Sequence, residues 1–197
     1  MIIGLTGGMG CGKSTAARMW AELGARWIDS DLIVREEVLV DPAVVAEVAA
    51  TWGQTVLDGA GRIDRSQLAE RVFGDDAERA RLEALVLPRV YAVWRRELAV
   101  PGPTLQVVEA PLLFEQQLEN WFDFTVCVAS SADIQLARLR KRGLSQALAE
   151  QRISKQLPLA RKAESADVVL WNDGTEELLR EQVVHLHARF TTERGAA

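Results

Sequence analysis

The sequence has little cysteine, little lysine and no long apolar run, and each shortage closes off a class of protein. Two cysteines in 197 residues, Cys11 and Cys127, cannot build a disulfide framework, and neither has metal-ligating company nearby in the chain. No apolar stretch is long enough to cross a membrane, and the first residues lack the basic region and cleavage pattern of a secretory leader, so a cytoplasmic protein is expected. The formal net charge of −5 argues against a general nucleic-acid binder, whose domains are usually basic. Only four Lys are present (13, 141, 155 and 162), so 19 of the 23 basic residues are Arg. Arginine suits bidentate phosphate contacts, and a GC-rich genome would leave the same bias. No internal repeat or low-complexity segment occurs. The length allows one substantial core and a small inserted module.

What is present is concentrated near the start. Ile2 to Thr6 is an apolar run of strand length, Gly7 to Ser14 fits G-x-x-x-x-G-K-[ST], and residues 13–23 are helix formers without Pro or Gly. Strand, glycine-rich loop and helix are therefore in the order that a phosphate-binding loop needs. Gly7, Gly8, Gly10 and Gly12 allow tight turning and close approach of a polyphosphate. Successive main-chain N–H groups, including that of Cys11, then form an anion nest, reinforced by the helix N-terminus. Lys13 supplies a mobile charge for β- and γ-phosphates. Ser14, with Thr15 beside it, offers a hydroxyl to Mg²⁺. ATP with Mg²⁺ is thus the expected co-substrate.

The rest of the chain reads as alternating strands and helices. Residues 25–29 form a second strand closed by Asp29-Ser30-Asp31, acids at a carboxyl strand end, where open α/β sheets bind ligands. One of them could simply cap the next helix; Asp31 is the candidate base. Residues 42–100 show no strand and read as helices over 42–52, 64–72, 75–87 and 88–98, punctuated by Gly74 and Pro88. Residues 104–109 are the third strand. Glu109 at its end is a Walker-B-type candidate for Mg²⁺, directly or through water, with a helix cap or surface acid as the alternative. Residues 124–129 are the fourth strand. The helical stretch 132–164 is dense in basic residues, Arg138, Arg142, Arg152 and Lys162 among them. It reads as a lid whose arginines close on transferring phosphates, the alternative being a solvated basic helix pair. Residues 167–170 are the fifth strand, Asn172-Asp173-Gly174 a turn, and 176–190 a helix capped by Thr175, with frayed residues beyond it. His185 and His187 are two apart on that helix and make poor metal partners. The expected architecture is α/β: a three-layer α/β/α fold around a five-stranded parallel sheet.

These residues resemble the dephospho-coenzyme A kinase family of P-loop kinases, itself similar to nucleoside monophosphate kinases. The match spans Ile3 to about Gly174. It rests on Leu5-Thr-Gly-Gly-Met-Gly-Cys-Gly-Lys-Ser-Thr15, Glu22-Leu-Gly24, Ile28-Asp-Ser-Asp31, Pro111-Leu-Leu-Phe-Glu115, Arg152 with Gln156, and Ala166-Asp-Val-Val with Asn172. The resemblance implies phosphorylation of the ribose 3′-hydroxyl of dephospho-coenzyme A by ATP, the last step of coenzyme A synthesis. It implies a kinase core of residues 1–30 and 101–197, an acceptor-binding helical insertion of 31–100, and a lid at 138–165. Asp31 would orient or deprotonate the hydroxyl, Lys13 and Ser14 with Mg²⁺ would hold ATP, Arg142 and Arg152 would stabilise charge in transfer, and Asn172 would lie near the adenine. Two positions depart from the family pattern. Leu87-Pro88 stands where the family usually has His-Pro, and Ser30 where it often has Ala. Residue logic alone also allows another small-molecule kinase acting on a nucleotide or sugar. A GTPase switch is disfavoured because no Asn-Lys-x-Asp occurs. The sequence does not address oligomeric state.

Overall fold

The computed structural model describes residues 1–192, Phe73 by its backbone only; the expected fraying at the C-terminus falls partly outside these residues. The chain divides into two compact units, Ser30–Val100 and the remainder, Met1–Asp29 with the chain from Pro101 onward.

The larger unit holds the sheet. Strand β1 (Ile2–Gly7) leads through the glycine loop into helix α1 (Lys13–Glu22), which returns to strand β2 (Arg26–Asp29). After the helical unit come β3 (Gln106–Glu109) and β4 (Phe124–Ala129). Among the described residues these strands and β5 (Val168–Trp171) form one sheet in the order β2-β3-β1-β4-β5, every neighbouring pair parallel. This is the expected five-stranded parallel α/β architecture. The last described helix of this unit, Glu176–Thr192, follows β5 and begins with Thr175 Oγ1 accepting the Leu178 N–H at 3.4 Å.

Side-chain alternation along the strands divides the core into two layers, as the pleat requires. Ile3, Leu5, Val126 and Val128 face α1 and the last helix, where Trp20, Leu179, Val183 and Phe190 complete a fully buried cluster. Gly4 lies on the opposite face, under Leu113 and Phe122; a Cβ there would stand 2.6 Å from Leu113 Cδ1. Thr6 pairs in register with Cys127 on that same second face. At the outer edge of the sheet, β5 is closed by a side chain. Gln182 accepts the Trp171 N–H at 3.0 Å and donates to the Trp171 carbonyl at 2.9 Å.

The unit Ser30–Val100 is helical apart from one antiparallel bridge, Leu57 to Ile63. A short helix α2 (Ser30–Ile33) runs into a π-helical turn, Val34–Val38, followed by α3 (Pro42–Trp52), α4 (Arg65–Phe73) and α5 (Asp76–Ala99). Asp41, Asp64 and Asp75 each cap the helix that follows, accepting two main-chain N–H groups. This is the strongest local reason for those helix starts.

One expected break does not occur. Pro88 lies inside α5 rather than between two helices. Proline removes one helical hydrogen bond and crowds the carbonyl four residues earlier. Buried residues Leu85 and Val86 before it and Val90, Val93 and Trp94 after it form one continuous stripe, so packing carries the helix through. Arg89 Nη1 adds a bond to the Leu85 carbonyl at 2.6 Å, beside the disrupted turn.

The basic stretch of the larger unit resolves into three helices: α6 (Ala132–Lys141), α7 (Gln146–Ser154) and α8 (Leu159–Ser165); the helix Glu176–Thr192 is accordingly α9. Gly143, with φ 86°, ends α6, and Ser145 caps α7 by accepting the Leu148 N–H at 3.3 Å.

Candidate active site

The glycine loop sits at the carboxyl end of β1, and its glycines are required by the protein behind it as well as by a ligand in front. Gly7 has φ 141°, and a Cβ there would collide with the Val128 carbonyl oxygen of β4. Gly12, at φ 97°, begins α1, and its Cβ would collide with the Asn172 amide. Gly12, left-handed at φ 97°, thus places the N-terminus of α1 at the end of the loop, and a helix N-terminus favours anions.

The back of the loop is held by a polar cluster. The Cys11 carbonyl accepts from Asn172 Nδ2 at 2.8 Å and from Arg138 Nη1 at 3.4 Å. Arg138 also reaches the Gly10 carbonyl at 3.4 Å, Ser130 Oγ at 3.1 Å and Asn172 Oδ1 at 3.3 Å. Asn172 is buried, with both ends of its amide engaged. It therefore lies directly against the loop at Cys11 and Gly12. The Cys11 side chain is fully buried, and burial raises its thiol pKa, partly opposed by the positive charge of Lys13. Its N–H bonds to the Gly8 carbonyl at 3.2 Å. Gly8 and Gly10 are likewise buried within the loop, and Thr15 is half-buried on α1.

At the front, Lys13 folds back over the loop. Its Nζ donates to the Gly8 carbonyl at 3.1 Å and the Gly7 carbonyl at 3.3 Å. Ser14 is exposed, and its hydroxyl donates to Glu109 Oε1 at 2.9 Å. Glu109 is buried, only 3% exposed, which removes the surface-acid alternative. Glu109 ends β3, and its Cα is in register with Asp29, the last residue of β2, and with Leu5, two residues before the end of β1. Among the described residues no group of three or more His, Cys, Asp or Glu side chains could hold a metal. A hydroxyl and one carboxylate are hard oxygen donors. They fit Mg²⁺, which keeps waters and takes substrate phosphates rather than an all-protein cage.

The remaining expected residues are placed as follows. Asp31 is exposed in the first turn of α2, two residues beyond the end of β2, and belongs to the helical unit. Arg142 is exposed at the C-cap of α6. Arg152 is half-buried in the last turn of α7.

Sequence reasoning missed one pair. Lys162 is completely buried, and its Nζ lies 2.7 Å from Glu115 Oε1 and donates to the Pro111 carbonyl at 2.7 Å. No local signal marked it, because Lys162 is itself the buried residue of α8, with no buried apolar neighbour on that helix. Arg138 and Ser130 were also not foreseen as supports of the loop.

A parallel α/β sheet with a glycine loop after β1, a hydroxyl in the first turn of α1 and an acid at the end of β3 defines a P-loop nucleotide-binding fold. The family model for dephospho-CoA kinase (CoaE) matches residues 1–177. A dephospho-CoA kinase of Anaeromyxobacter dehalogenans is 40% identical over 198 residues, covering 98% of this chain and 94% of that relative. One from Geobacillus kaustophilus is 39% identical, with 93% of this chain and 94% of the relative covered. The protein TT1252 from Thermus thermophilus superimposes with a TM-score of 0.82 at 32% identity, covering 96% of this chain and 97% of that one. The dephospho-CoA kinase of Campylobacter jejuni has the same fold, with a TM-score of 0.71 at 23% identity over 98% of both chains. The chain belongs to the dephospho-CoA kinase family, which uses ATP to phosphorylate an alcohol in the final step of coenzyme A biosynthesis.

Proposed function

We propose that this protein transfers the γ-phosphoryl group of ATP to the ribose 3′-hydroxyl of dephospho-coenzyme A, giving coenzyme A and ADP. The observation that carries the reading is the Ser14–Glu109 hydrogen bond of 2.9 Å beside the glycine loop. It joins the two protein groups that a P-loop kinase needs next to the terminal phosphates.

The chain's own residues supply positioning and charge. The loop amides and the N-terminus of α1 hold the triphosphate. Lys13, which now caps two loop carbonyls, exchanges them for β- and γ-phosphate oxygens when ATP enters. Asn172 and Arg138 keep the loop open from behind. Ser14 and Glu109 would hold Mg²⁺, which when bound neutralises developing charge on the phosphates. Asp31 orients the acceptor hydroxyl and takes its proton as the oxygen–phosphorus bond forms and the bond to ADP breaks. Arg142 and Arg152 stabilise the charge spread over the transferring group. The helical unit Ser30–Val100 binds the acceptor, and residues 138–165 act as the lid.

No helix among the described residues is long and apolar enough to cross a membrane. The substrates proposed place its action in the cytoplasm. Release of ADP, measured with dephospho-coenzyme A against a panel of nucleoside monophosphates and shikimate, tests the proposal. Turnover is expected with dephospho-coenzyme A alone. A preference for another acceptor overturns it.

A further inference from the structure

Most charged side chains of the basic stretch face solvent, but Lys162 does not; it is 0% exposed. Burying an ammonium group costs several kcal/mol unless it is paired and hydrogen-bonded. Such a residue is more than a solvated helix face. Its two partners come from the segment that follows β3. One is the Glu115 carboxylate, the other the Pro111 carbonyl, each at 2.7 Å.

Both partners lead elsewhere. Pro111 is two residues beyond Glu109, the acid bonded to Ser14. Its carbonyl also receives Thr6 Oγ1 at 3.5 Å, and Thr6 immediately precedes the glycine loop. Glu115 Oε1 accepts a second bond, from the main-chain N–H of Leu157 at 3.0 Å, in the connection between α7 and α8. Arg152 stands five residues earlier, in the last turn of α7. One ammonium group therefore touches the segment carrying the proposed metal acid and the carboxylate that fixes the helix pair carrying the proposed charge-stabilising arginine.

We infer that Lys162 is a positioning residue for phosphoryl transfer, tying the loop after β3 to the α7–α8 connection so that the phosphate site and the lid order together. The inference rests on the kinase reading above. Lys162 itself touches no substrate; it acts through Pro111 and Glu115. Its charge is balanced by Glu115, so removing both charges together separates positioning from stability. Neutralising one alone would strand the other in the interior.

The test uses the full-length protein carrying Lys162→Met with Glu115→Gln, in which the side-chain amide oxygen introduced at position 115 still accepts from the Leu157 N–H. The thermal midpoint is expected to stay within a few degrees of wild type while kcat falls at least tenfold. Hydrogen exchange adds a second readout. In the wild type, Mg·ATP is expected to slow exchange at the loop amides and also at the Leu157 amide. In the double variant only the loop amides should respond. Turnover within twofold of wild type overturns the inference. So does a wild-type Leu157 amide indifferent to ATP that protects the loop, a readout that holds even if the double variant folds poorly. A wild type that neither binds ATP nor turns over dephospho-coenzyme A would instead refute the kinase reading.

Discussion

Ser14 and Glu109, 95 positions apart in the chain, meet through one hydrogen bond of 2.9 Å. The contact binds the first turn of α1 to the end of β3. Glu109→Gln keeps the shape and an acceptor for Ser14 but loses the charge. The variant should fold normally and need roughly 10–100-fold more Mg²⁺ for half-maximal rate. Titrating initial ADP release against MgCl₂ checks this, and an unchanged requirement removes Glu109 from the metal site.

Asp31 and Arg152 are expected to act on the transition state more than on nucleotide binding. Asp31→Ala should lower kcat by about 10²–10⁴, the usual range for a lost general base. Arg152→Ala should lower it by roughly 10². Calorimetric titration should find ATP affinity little altered in the Asp31 variant. Near-normal turnover in either variant would take that residue out of the mechanism.

Asn172→Ala leaves the Cys11 carbonyl without its shortest donor and Arg138 without one acceptor. A loss of about 1–3 kcal/mol in unfolding free energy is expected, the cost of stranding buried polar groups, together with weaker ATP binding. Gly12→Ala should be at least as damaging. Adding Asn172→Ala should not rescue it, because the clash disappears while the left-handed φ of 97° remains. Denaturant melts of the two single variants and the double variant decide this.

Cys127 gives a pH signature. Burial raises its thiol pKa from the ordinary 9.0 to about 11. Above pH 9 the unfolded chain therefore releases a proton that the folded chain keeps. The stabilisation is complete below about pH 9 and is lost as pH rises toward 11. Cys127→Val should flatten that part of the stability–pH curve relative to wild type, as urea unfolding at pH 8, 9 and 10 will show. Equal slopes would mean that the thiol already ionises in the folded protein.

Where local pattern and tertiary packing agreed, the sequence was readable. The strand–loop–helix at residues 2–22 announced itself because glycine spacing, apolar run and helix formers all point the same way. Pro88 misled because its effect is local, while the stripe from Leu85 to Trp94 that overrides it is a packing property. In the candidate site, Lys13, Ser14 and Glu109 could be found because each sits at the end of a recognisable element. Lys162 could not be separated from its neighbours by composition, since Arg161 beside it is exposed. What distinguishes it is a partner 47 residues earlier, and only folding reveals such a distance. Asn172 was visible as a turn residue, but its grip on the glycine loop depends on β5 lying beside β4.

The amide of Gln182 imitates, at the rim of the sheet, the pair of bonds that another strand would bring to Trp171. Any segment trying to add itself there must first evict that side chain and give up both bonds. A single glutamine thus discourages edge-to-edge growth at the place where an open sheet is most prone to stick to itself.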